Sequence, residues 1–203
     1  MAHPETAPAR PAWVEDFARL YFTKTLTQFV LHGNVADLVP ARSTEGSTQY
    51  LRFTDYLTQD LFQRRDLVLT YDRAAGLSLL TPAMKQDFMA FLQAYDTLNG
   101  TSYGGKVPRD PQEVFALIEK YLLVRLNDGK RMALVLNYAE TLAPASGPGS
   151  ASLQDRALLV FLRRWAQESR FLQRDMTICL LTHSLQELHP QLTRDPHTAE
   201  IEV

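Results

Sequence analysis

The chain has 203 residues, 45% of them hydrophobic, enough for one sizeable core or one core plus a small appendage. Its 21 Lys and Arg nearly balance 23 Asp and Glu, and no long run of either sign breaks the mixture, so neither a nucleic-acid nor a membrane-surface footprint is indicated. The lone cysteine, Cys179, excludes an internal disulfide; no stretch nears the ~20 apolar residues of a membrane span, and the Pro-rich start lacks a hydrophobic signal region, which together point to a cytoplasmic protein.

Residues 1–11 read as a disordered leader and 12–203 as a single domain. Trp13, Phe17, Leu20 and Tyr21 recur at helical spacing and predict an amphipathic helix. Residues 27–31 form a short apolar run of strand formers that ends at His32-Gly33-Asn34, a buried strand meeting a turn. Residues 41–48 are polar and predict an exposed loop, after which Thr54 is expected to cap a helix carrying Tyr56, Leu57, Leu61 and Phe62. A second strand is predicted at 67–71, then an apolar pair at Leu79 and Leu80. Thr81-Pro82 is a cap with proline at the first helical position, opening a helix to about Tyr95.

The glycine-rich stretch 99–108 predicts a loop, and Asp110-Pro111 with Glu113 opens the best-marked helix of the chain, stopped by Gly129. Residues 132–136 are uninterrupted apolar and predict a strand covered on both faces. A second loop at 144–150 leads to Ser152 and Asp155, a capping pair before a helix with Leu158, Phe161, Leu162 and Trp165. Strands are then expected at 176–181, with Cys179 as a buried thiol, and at 198–203. Apolar strands alternating with helices predict an α/β three-layer sandwich with a mostly parallel sheet of about five strands.

Such sheets bind ligands beyond the carboxyl ends of their strands. The residues there are His32, Gly33, Asn34 and Asp37, then Asp72 and Arg73, then Asn137 and Glu140, then Thr182, His183 and Ser184. In this layout the chain resembles the AAA branch of P-loop ATPases from about residue 27 to 203. Leu134-Val135-Leu136-Asn137-Tyr138-Ala139-Glu140 is similar to a Walker B strand, but Asn137 stands where the magnesium-orienting acid belongs, Tyr138 replaces the following glutamate, and Glu140 is two residues late. By the same resemblance Thr182 falls at the sensor-1 position and Arg194 near the arginine finger.

After the first strand that family needs a glycine-rich loop and a lysine to cradle phosphates. Here the sequence is His32-Gly33-Asn34-Val35-Ala36-Asp37, without a second glycine or a lysine, and Asp37 adds charge of the wrong sign. Gly100-Thr101-Ser102-Tyr103-Gly104-Gly105-Lys106 matches the Walker A pattern literally, yet it follows a helical segment, lacks the hydroxyl residue at Val107, and is separated from the next helix by Pro108. It reads as a surface loop, with Gly100, Gly105 and Lys106 kept as an alternative phosphate site. The five histidines show no metal-site spacing, and His32 with His183, which follow different core strands and could meet at the sheet's carboxyl edge, read as turn residues. Asp72 and Arg73 read as a structural ion pair or a site at a strand end.

The resemblance then implies a catalytically degenerate ATPase-like domain with no catalytic or metal residues and no cofactor of its own, acting as an interaction or regulatory module. ATP and magnesium would belong to a longer parent protein, partners would be an active AAA ATPase domain in the same or another chain and further copies in a ring, and the family's helical lid would lie beyond Val203. The alternatives are a genuine ATP-hydrolysing enzyme with an atypical site and a stand-alone adaptor.

Overall fold

The computed structural model describes residues 10–42, 47–145 and 152–203. Most of the expected leader and much of the loops expected at 41–48 and 144–150 lie outside these residues. The main sheet has six strands in the order β5-β4-β6-β7-β1-β8. They are β1 (Gln28–His32), β4 (Leu67–Asp72), β5 (Gly76–Leu79), β6 (Met132–Leu136), β7 (Met176–Thr182) and β8 (Thr198–Glu202). Strands β4, β6, β7, β1 and β8 run parallel, and β5 folds back antiparallel on β4 at one edge. The five expected strands are therefore the parallel ones, and the apolar pair at 79–80 marks the sixth.

Alternation explains why the central strands are apolar throughout. Successive side chains point to opposite faces, so a strand covered on both sides needs apolar residues at every position. Along β6, Met132, Leu134 and Leu136 pack into one core, while Ala133 and Val135 pack into the other. The first core is closed by α3 (Pro82–Asn99), α4 (Pro111–Asn127) and α6 (Leu153–Ala166) through Phe88, Phe115, Leu158 and Trp165. The second is closed by α1 (Ala12–Phe22) and by α2 (Phe53–Asp55) with the π-helical turns that continue it (Tyr56–Leu61), through Trp13, Phe17, Phe53 and Leu57. This is the three-layer sandwich. Cys179 sits in the second core with no exposure, and burial pushes its thiol pKa up.

Capping follows the sequence. The Thr81 hydroxyl accepts from the Met84 amide, the Asp110 carboxylate from the amides of Gln112 and Glu113, and Ser152 and Asp155 form a reciprocal capping box. Short helices not expected from the sequence are α5 (Ala139–Leu142), α7 (Ser169–Gln173) and α8 (Pro190–Thr193).

Two expectations are corrected. Ala41 and Thr48 are not loop residues: β2 (Leu38–Arg42) and β3 (Thr48–Arg52) form an antiparallel hairpin that inserts Val39 and Ala41 into the second core. Thr54 does not cap α2; Arg52 holds that position without a side-chain cap bond, and Thr54 lies inside the helix. At the sheet's opposite end Tyr21, Lys24 and Arg65 converge on Asp175, with Arg65 2.6 Å away, and tie α1 to the start of β7. No helix among the described residues is long and apolar enough to cross a membrane.

Candidate functional site

A cleft of about 590 Å³ opens at the carboxyl ends of the parallel strands. This edge gathers what the chain delivers there from four places: Val35 and Ala36 from the turn after β1, Asp72 from the end of β4, Asn137, Tyr138 and Glu140 after β6, and Thr182 and His183 at the end of β7. Two contributors were not foreseen. The hairpin and the start of α2 add Leu38, Arg52, Thr54 and Asp55.

The turn after β1 decides what this cleft offers an anion. In a phosphate loop, free backbone N-H groups point at the ligand from a strand that passes directly into a helix. Here the chain enters the β2–β3 hairpin instead, and three of the turn's amides are engaged. Gly33 N-H donates to the His183 carbonyl (3.2 Å), Asn34 N-H to the main-chain oxygen of Val203 (3.1 Å), and Asp37 N-H to the Asn34 carbonyl (3.0 Å). Gly33 has φ +102°, and an added Cβ would stand 3.0 Å from the Val203 main-chain oxygen. The glycine is thus required by the approach of the sheet's edge strand. His32, Gly33, Asn34 and Asp37 do not line the cleft. His32 lies in register with Thr182, and it is Gly33 rather than His32 that bonds the His183 main chain.

Asn137 lines the cleft and its Oδ1 accepts the Thr54 hydroxyl at 2.7 Å, joining the end of β6 to α2. Next to it Tyr138 holds a left-handed backbone, φ 53° and ψ 50°, rare for a non-glycine residue and costing ~1–2 kcal/mol. The strain is held by Thr141, whose amide and hydroxyl both donate to the Tyr138 carbonyl (2.8 and 2.7 Å). The ring is left 57% exposed at the cleft mouth. Glu140, in the first turn of α5, lines the cleft, while its Oε2 is fully buried and has no hydrogen-bond donor among the described residues. Thr182 is buried, and its hydroxyl donates to the Ser184 carbonyl (3.2 Å).

The other expected residues lie apart. Asp72 and Arg73 are not an ion pair. Asp72 Oδ1 accepts the amides of Ala74 and Ala75 (2.8 and 2.6 Å) and closes the β4–β5 turn, whereas Arg73 reaches the Asp155 carboxylate (3.1 Å) and the Thr141 carbonyl (2.7 Å). Arg194 is the exposed C-cap of α8 and does not line the cleft.

The segment 100–106 follows helix α3, with Gly100 as its left-handed C-cap. Several of its donors are claimed locally: the Asp96 carboxylate accepts the Thr101 hydroxyl (2.5 Å) and the amides of Tyr103 (2.8 Å) and Gly104 (2.6 Å), and Gly105 N-H donates to the Ser102 carbonyl (3.2 Å). A carboxylate fills the nest a phosphate would need. No three His, Cys, Asp or Glu side chains among the described residues gather closely enough to hold a metal ion.

Comparison with known proteins gives a family. A model described as AAA+ chaperone, N-terminal Rossmann-like domain, matches residues 3–203. No curated protein matches. A solved structure titled "Structure of E. coli MS115-1 HORMA:CdnC:Trip13 complex" contains a chain similar over 93% of this chain and 56% of its own length, at 14% identity and a TM-score of 0.47, so this chain spans little more than half of that one. With the family model matching essentially the whole length, this chain belongs to the AAA+ chaperone N-terminal Rossmann-like domains.

Proposed function

We propose that this chain is a non-hydrolysing module of an AAA+ chaperone, an interaction or regulatory domain that works beside an active AAA ATPase domain in the same or another chain. The observation that carries the proposal is the closed turn after β1, whose Gly33, Asn34 and Asp37 amides are engaged by His183, Val203 and Asn34. Asn137 supports it, since an amide bonded to Thr54 supplies no negative charge for a magnesium shell. In this reading ATP and magnesium are held by the active domain, the assembled protein is a cytoplasmic homo-oligomer, and the present cleft serves contacts rather than chemistry. The reading of 100–106 as a phosphate loop is opposed by Asp96, which occupies the amides of Tyr103 and Gly104.

Calorimetric titration with magnesium-ATP, alongside a phosphate-release assay, tests the proposal. No saturable heat up to about 1 mM nucleotide and no phosphate release above buffer are expected. Binding near micromolar strength overturns it; loss of that binding in Lys106→Ala would assign it to residues 100–106, and retention would assign it to the strand-end cleft.

A further inference from the structure

At the amino ends of the parallel strands, far from the cleft, positive charge is left over. β4, β6, β7 and β1 begin there side by side, and the ladder extends just before them: Asp66 N-H donates to the Arg131 carbonyl (2.9 Å) and Met132 N-H to the Asp175 carbonyl (3.0 Å). The acids of this edge are taken. Asp66 pairs with Arg131 (3.3 Å), Asp128 with Arg125 (2.9 Å), and Asp175 with Arg65 (2.6 Å) and Lys24 (3.3 Å). Arg64, Lys130 and Arg174, which precede β4, β6 and β7, are exposed and have no ion-pair partner among the described residues. Three neighbouring strands thus each bring one unpaired cation, from a row of main-chain positions about 10 Å long, two strand spacings.

Solvated cations alone make an ordinary surface. Phe22 makes this one different. It ends α1 close to the start of β1, the next strand along, and its side chain is 72% exposed. The ring is supported from below: it packs edge-on against Tyr21 (centroids 5.2 Å), whose hydroxyl donates to Asp175 and whose face carries the Lys24 ammonium at 3.9 Å. An apolar ring held in water beside unpaired cations suits a partner that brings acids together with an apolar side chain. A nucleic acid fits less well, because Asp66, Asp128 and Asp175 interrupt the row and the whole chain has a net charge of -2. An extended polypeptide advances about 3.3 Å per residue, so about five residues cross from β4 to β1.

We propose that this edge docks an extended acidic segment of a polypeptide partner, its carboxylates on Arg64, Lys130 and Arg174 and an apolar side chain at one end of the segment on Phe22. The inference deepens the interaction half of the reading above and rests on that half alone, since a surface at the other end of the sheet from the cleft does not compete with nucleotide.

The test uses the whole chain labelled for amide NMR, titrated with a peptide of four glutamates between two leucines, capped at both ends, and with the same peptide carrying glutamine, which keeps the shape and removes the charge. Saturable shifts at Phe22, Lys130 and Arg174 are expected with the glutamate peptide near 1 mM and not with the glutamine peptide. Arg64→Gln, Lys130→Gln and Arg174→Gln together should weaken binding about tenfold or more, since exposed charge pairs contribute about two- to fivefold each. Phe22→Ser should weaken it about threefold, and should not affect a peptide ending in alanines. Arg156→Gln, exposed on α6 and likewise without an ion pair among the described residues, should leave binding unchanged. Equal binding of the glutamate and glutamine peptides, shifts confined to other surfaces, or full binding by the folded triple variant each overturn the inference. A short oligothymidylate that shifts these amides as tightly as the peptide overturns the polypeptide partner. Shifts of the same amides on raising the chain's own concentration without peptide give the surface to a second copy and overturn a separate partner. With no peptide shift and no magnesium-ATP shift, this inference falls and the non-hydrolysing reading stands; peptide shifts here together with magnesium-ATP shifts at the cleft bring down the non-hydrolysing reading and leave the inference standing.

Discussion

Replacing Gly33 by alanine separates a glycine kept for chain packing from one kept for a ligand. At φ +102° an alanine carries left-handed strain of ~1–2 kcal/mol, part of which is offset because alanine loses less entropy on folding. Its Cβ would also stand 3.0 Å from the Val203 main-chain oxygen. That oxygen is fixed by the Asn34 amide (3.1 Å), and the Val203 amide is fixed by the His32 carbonyl (2.8 Å), so relief means distorting main-chain bonds worth ~1 kcal/mol each. The total is about 2–3 kcal/mol. For a domain of this size that lowers the melting temperature by roughly 4–12 °C. Gly129→Ala is the internal control, because Gly129 has φ +77° but nothing within 4 Å of an added Cβ, so it carries the strain alone, about 1 kcal/mol. Urea and thermal unfolding followed by circular dichroism give both values. A Gly33→Ala protein no less stable than Gly129→Ala would refute the claim that this glycine serves the contact with the edge strand.

Partial burial would raise the Asp175 pKa, but hydrogen bonds from Arg65 and Tyr21, the Arg65 charge and the bond from Lys24 outweigh it and hold the pKa at about 2. A folded-state pKa below the unfolded value stabilises fully above the unfolded value and is lost as pH falls, here from about 4 towards about 2. Allowing for its 31% exposed side chain, Asp175→Asn should cost ~1–2 kcal/mol at pH 7 and almost nothing near pH 2, in urea unfolding across that range. A difference that persists undiminished at pH 2 would contradict this. Asp96→Ala should speed hydrogen exchange of the Tyr103 and Gly104 amides while leaving β6 unchanged, since the Asp96 carboxylate accepts both. Unchanged exchange at those amides would show that Asp96 does not hold the loop.

Much of the fold can be read from the residues because it rests on local chemistry. The uninterrupted run at β6 states that both faces are covered, and Asp110-Pro111 states where α4 begins. The hairpin was hidden for a physical reason. Pro40 argues against a strand, and β2 and β3 pair only with each other, so the signal is one short alternation of inward Val39 and Ala41 with outward Leu38 and Pro40. The cleft was legible where strand ends build it, at Asn137, Glu140 and Thr182. It was not legible where the hairpin brings in Arg52, Thr54 and Asp55, because their arrival depends on the long-range path of the chain. That the Gly33 and Asn34 amides of the β1 turn are engaged is equally invisible in sequence, since their acceptors belong to His183 and Val203, more than a hundred residues away.

The most direct test of the central claim is amide hydrogen exchange at Gly33, Asn34 and Asp37 and at Asn137, with and without magnesium-ATP at about 1 mM. The closed turn predicts slow exchange at Gly33, Asn34 and Asp37 that nucleotide leaves unchanged, and no saturable shift at Asn137. Exchange that slows further at these amides with rising nucleotide, together with saturating shifts at Asn137, would show that the turn opens to phosphate and would contradict the account.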